Sequence, residues 1–169
     1  MIFRRGGYGE LSVSVNGEVD QPNEPSQSPT KFQITVVEAT ESIGIAINEN
    51  AGSDSPLHVD VKRCDVEIDR RFAVAIQRVW ATMILGTRQP KQNATIVGGY
   101  VADFSVRVGG AGTLRGMTRT PLRGLPKEFI EIGLELAGYC KLKVGECPKA
   151  RKEILAHLAS FERRARAAY

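Results

Sequence analysis

Apolar residues recur at every second position, in short bursts, between Leu11 and Ile68, and this period restricts the first part of the chain to strands. Leu11, Val13 and Val15 alternate with Ser12 and Ser14. Phe32, Ile34 and Val36 repeat the pattern, as do Ile43, Ile45 and Ile47, and then Leu57, Val59 and Val61. Successive side chains on a strand point to opposite faces, so each burst predicts a strand with one buried side. Asn16-Gly17 closes the first strand with a turn signal. Pro22, Pro25 and Pro29 then sit in a polar run, and 20–31 is expected to be a mobile Pro/Ser-rich loop. The first strand would thereby become an appendage. Residues 38–42 separate the second burst from the third and predict a hairpin between them. Val66 and Ile68 continue the last burst after a break at Cys64-Asp65, read as a bulge or tight turn.

The period then changes. Asp69 suits a helix N-cap, because a short carboxylate accepts a bond from the first free amides. Phe72, Ile76, Val79, Trp80, Met83 and Ile84 follow at helical spacing, and Gly86 and Pro90 end the helix. Gly98-Gly99 predicts a hairpin between Thr95–Val97 and Tyr100–Ala102, with Phe104, Val106 and Val108 prolonging its second arm. Gly109-Gly110-Ala111-Gly112 is a further turn, and 113–118 a further strand. Pro126 opens a second helix with a wide apolar face of Phe129, Ile130, Gly133, Leu134, Leu136, Ala137 and Cys140. Pro148 opens a third, carrying Ile154, Leu155, Leu158 and Phe161, with His157 at the edge of its packed face. The order strands–helix–strands–helix–helix lacks regular βαβ alternation. It predicts one α+β domain over 1–169, an antiparallel sheet of about five or six strands with three helices on one face.

Arg4 and Arg5 are followed by glycines rather than an apolar run, and no stretch approaches the ~20 apolar residues of a membrane span. Cys64, Cys140 and Cys147 form no Cys-x-x-Cys pair, which predicts three reduced thiols in a cytoplasmic protein. Cys140 and Cys147 would be the pair to test for a disulfide.

The chemistry-bearing residues are sparse. His58 and Cys64 would stand roughly 20 Å apart on a continuous strand, far beyond a hydrogen bond. Asp65, Glu67 and Asp69 alternate and read as a solvated strand face. With two histidines and no zinc-type spacing, no metal and no cofactor are expected. The glycine turns precede strands, whereas nucleotide loops open helices.

Charge is uneven. Residues 1–61 hold 3 basic and 9 acidic residues, a net of −6; residues 62–169 hold 20 and 10, a net of +10. The simplest reading is attraction between the two halves, within one chain or across a dimer. Arg107, Arg115, Arg119 and Arg123 form a basic segment, and guanidinium forks suit phosphate and carboxylate. Arg119 and Arg123 are read as lying in an irregular approach to Pro126, so the arginines need not face one way. The favoured function is a non-catalytic binding protein that self-associates as a homodimer, through open strand edges and the wide face of the second helix. A partner protein is allowed for. The alternative is an anion- or nucleic-acid-binding protein using those four arginines, and the third is a small hydrolase around His58 and Asp60.

Overall fold

The computed structural model of this chain describes residues 2–5, 10–18, 31–41, 59–86, 100–108, 112–119 and 123–168. Six strands, β1 (Ile2–Arg5), β2 (Leu11–Glu18), β3 (Lys31–Ala39), β4 (Val61–Ile68), β5 (Tyr100–Val108) and β6 (Gly112–Arg119), form one antiparallel sheet in the order β4-β3-β2-β1-β5-β6. Three helices accompany them: α1 (Arg70–Gly86) between β4 and β5, then α2 (Leu125–Cys140) and α3 (Cys147–Ala168).

The alternation resolves into two faces. Val13, Ile34, Val36, Ala102 and Phe104 are buried with apolar residues of all three helices in one cluster. Their sheet neighbours, among them Ser105, Arg115 and Met117, point the other way and are exposed. Phe129 of α2 sits at the centre of the core, with ring centroids 5.0 Å from Trp80 of α1, 5.0 Å from Phe104 of β5 and 6.0 Å from Phe161 of α3. Gly116 makes room for this stack: a Cβ there would clash with the edge of the Phe104 ring. Gly112, at φ 76°, takes the left-handed conformation that starts β6 where it pairs with Val108.

Asp69 caps α1 as its position predicts, its Oδ1 accepting a hydrogen bond from the Phe72 amide at 3.0 Å. The same carboxylate pairs with Arg151 of α3, whose guanidinium lies 6.0 Å from the Phe72 ring centroid. One side chain thus ends β4, starts α1 and anchors α3.

Several strand expectations are corrected. β2 is no appendage: it lies inside the sheet between β3 and β1, and Val13 is 1% exposed. β4 runs through Cys64-Asp65 in unbroken register with β3, so there is no bulge or turn there. β3 has both sides occupied, by β2 and β4, which displaces the expected hairpin with Ile43–Ile47; residues 42–58 lie outside the described set. Val101 and Ala102 pair with β1 and β6, so Tyr100–Ala102 is not the second arm of a hairpin closed at Gly98-Gly99. Residues 87–99 and the loop 20–30 also lie outside the described set. The wide face of α2 is spent inside the chain: Phe129, Ile130, Gly133, Leu136, Ala137 and Cys140 are buried, and Leu134 is half exposed.

The thiol expectation is corrected as well. Cys64 on β4 and Cys140 at the end of α2 form a disulfide, leaving Cys147 free. The two were far apart in sequence, and only the docking of α2 against the β4 edge brings them together. The bond removes the support that three free thiols would lend to a reducing compartment. Among the described residues, no helix is long and apolar enough to cross a membrane.

Candidate interaction surface

The outer face of the sheet is built from the residues that alternate with the core. On β4 these are Val61, Arg63, Asp65 and Glu67; on β3, Gln33, Thr35 and Val37; on β2, Ser12, Ser14 and Asn16. On β5 they include Asp103 and Ser105, and on β6 Thr113, Arg115 and Met117. Ser12, Ser14, Thr35 and Ser105 put short hydroxyls on the inner strands of this face, and Arg63, Asp65, Glu67 and Arg115 put charge on the two edge strands.

At the β4 edge, Asp65 organises the surface. Its Oδ1 accepts a bond from the Thr35 hydroxyl at 2.7 Å, and its Oδ2 accepts one from Arg63 Nε at 2.8 Å. These bonds, Arg63 first and Thr35 second, hold the carboxyl at about 2. Ser14 donates to the Thr35 carbonyl at 3.4 Å, and Asn16 donates to Ser14 at 3.3 Å, so the polar contacts run from β4 to β2.

At the β6 edge stands part of the basic segment. Arg115 pairs in register with Ser105 and is exposed. Position 107 pairs with Thr113 and position 119 with Val101, so positions 107, 115 and 119 all fall on the outer side of the β5–β6 pair. This corrects the reading of Arg119 as irregular, since β6 extends to that residue. Arg123 lies beyond the strand, exposed, just before α2, and the register does not bring it to the other three. The acid–base attraction between the chain's halves is instead visible at Glu38, which pairs with Lys141 at 2.8 Å. The Lys141 hydrogen bond draws the Glu38 carboxyl below its usual range.

A second polar cluster was missed entirely. His157 of α3 faces two carboxylates of α2: its Nδ1 lies 2.9 Å from Glu135 Oε1, and its Nε2 lies 3.0 Å from Glu128 Oε1. Arg164 also pairs with Glu128. Burial pushes the imidazole pKa down, and the Glu135 and Glu128 hydrogen bonds and charges outweigh it, so the group sits above its ordinary value. When the ring is protonated both nitrogens donate, one toward each carboxylate. The cluster divides two open depressions of about 540 and 310 Å³ along the α2–α3 groove. Its signal was a spacing of seven: Glu128 and Glu135 share a helix face, as do His157 and Arg164.

His58, half of the hydrolase pair, lies outside the described residues, while Asp60 is exposed just before β4. Asp65, Glu67 and Asp69 do not converge: two are on the outer face and the third caps α1. Among the described residues there is no group of three metal-ligating side chains. No protein-family model, curated protein or solved structure matches this chain.

Proposed function

We propose that this chain is a non-catalytic, self-associating binding protein whose working surface is the outer face of the sheet. The observation that carries the reading is the inequality of the two faces. Helices close one, while the other presents exposed Arg63, Asp65, Glu67, Ser105, Arg115 and Met117 between two edge strands. Val61 and Met117, at 57% and 51% exposure, place apolar surface on that same side. The three described helices pack on the inner side, and a two-fold dimer is the commonest closed assembly in which a chain covers its other face with its own copy. Light scattering over a micromolar dilution series tests the reading. A two-chain mass supports it, and a one-chain mass at every concentration overturns it.

A second reading is favoured by the register at the β6 edge, which lines up positions 107, 115 and 119. Such a row suits an anionic strand. If it contacts phosphates, binding must weaken with salt at a log–log slope of roughly −2 to −3, for three contacts. Filter binding across salt concentrations, on the wild type and a triple Arg→Ala variant, separates this reading from the first.

A further inference from the structure

We propose that the occupant of the outer face is a second copy of this chain, laid face to face about a two-fold axis parallel to the strands, so that Asp65 of each copy meets Arg115 of the other. The inference rests on the self-association reading and specifies its geometry.

The register supplies the alignment. One row crosses the whole sheet: Arg63, Val37, Ser12, Ile2, Asp103 and Met117 are successive partners from β4 to β6. One step along, Asp65, Thr35 and Ser14 are level on β4, β3 and β2, and Ser105 and Arg115 are level on β5 and β6. Asp65 and Arg115 therefore stand at opposite ends of one row, at equal distance from the midline between β2 and β1. An axis along that midline reverses the strand order and keeps the level, which lays β4 over the partner's β6. Both copies then bring Asp65 and Arg115 together, once at each edge. An axis across the strands would instead lay β6 over β6 and set Arg115 against its own copy. Charge selects the first arrangement.

Three further features agree. Glu67, next along the same side of β4, is exposed and adds a second negative group at that edge. Among the described residues neither Glu67 nor Arg115 has an ion-pair partner. Between Asp65 and Arg115 the described positions of their row are Thr35, Ser14 and Ser105, short side chains that let two sheets approach along that row. Aligned sheets cross at about −30°, and the length of an arginine spans the resulting offset at the edges. Six strands ~4.8 Å apart, mostly eight or nine residues long, offer roughly 700 Å² per copy, close to the ~800 Å² per partner of a standard interface.

The test uses charge reversal on the full chain, read by light scattering or sedimentation. Arg115→Asp alone and Asp65→Arg alone each place like charges at both edges. Each is expected to raise the dimer dissociation constant at least tenfold. Mixed in equal amounts, the two variants restore opposite signs at both edges and are expected to return to a two-chain mass. If the wild type is dimeric but both folded variants stay dimeric, or the mixture stays monomeric, this arrangement is wrong while self-association stands. If the wild type is monomeric throughout, both fail. Should Asp65→Arg not fold, because Asp65 holds Thr35 and Arg63, Ser105→Tyr replaces it. That bulky change at an exposed outer site must also split the dimer, and a dimer that survives it overturns the proposal.

Discussion

The same six strands carry two surfaces of opposite character. Ile34 and Val36 of β3 are buried at 0% and 1% exposure, whereas Arg63 and Asp65, on the outer side of the neighbouring β4, keep side-chain exposures of 63% and 36%. The inner surface is specified by shape and apolar volume, and its partners are helices of the same chain. The outer surface is specified by hydrogen bonds and charge, which hold little folding energy when exposed and much positional information. Each strand thus turns alternate positions toward the helices and the positions between them to the outer side.

Breaking the inner surface gives the largest effect. Phe129→Ala removes the ring shared by Trp80, Phe104 and Phe161, and is expected to cost ~3–5 kcal/mol in urea unfolding. A loss below ~1 kcal/mol would place the centre of the core elsewhere. Next comes the Cys64–Cys140 bond, which ties an outer edge strand to a helix across a separation of 76 residues. Reduction should destabilise by ~2–4 kcal/mol. Thiol titration of the denatured, unreduced protein should find one free thiol, Cys147; three would remove the bond from the fold.

Adjacent residues on β6 sharpen the contrast. Gly116→Ala drives a methyl into the Phe104 ring and should cost ~1–3 kcal/mol. Met117→Ala, one residue on and facing outward, should stay within ~0.5 kcal/mol at concentrations where the chain is monomeric. Equal losses at the two sites would erase the distinction between faces.

The smallest effect distinguishes the two polar networks by the sign of their pH dependence. The folded pKa of His157 lies above the ordinary 6.5, so its contribution is complete below that value and is lost as pH rises through the folded value. At 26% side-chain exposure it should amount to less than ~1 kcal/mol. The stability gap between wild type and His157→Asn should therefore close on the alkaline side. Asp65 is lowered from 3.8 to about 2, so its contribution is present above 3.8 and lost as pH falls toward 2. Thermal melts of Asp65→Asn should converge with the wild type only in acid. Convergence of either pair at the opposite end would show that the network is misassigned.

What sequence reading recovered was local. The Asp69 cap, the spacing from Phe72 to Ile84 and the prolines at 126 and 148 each act within one element, and their elements stand where the pattern puts them. What it missed depends on pairing. β1 is four residues long, too short for a period to show, yet it joins β2 to β5. Cys64 and Cys140 meet only after α2 docks. The pattern places Arg115 in the strand 113–118 but leaves Arg119 outside it, because the end of β6 is set by its partner β5 rather than by its own Gly- and Thr-rich sequence. Of the four candidate arginines, three fall at consistent register positions and Arg123 does not.

The sulfur bridge also decides how the molecule carries a load. A pull applied to the two ends runs from β1 through the meander to Cys64, crosses to Cys140, and leaves through α3. Everything between, from α1 through β5 and β6 to α2, is bypassed, and roughly 250–270 Å of contour stays folded away until the bond is reduced. Under tension the oxidised chain is a much shorter tether than its sequence length implies, and a reductant lengthens it in one step.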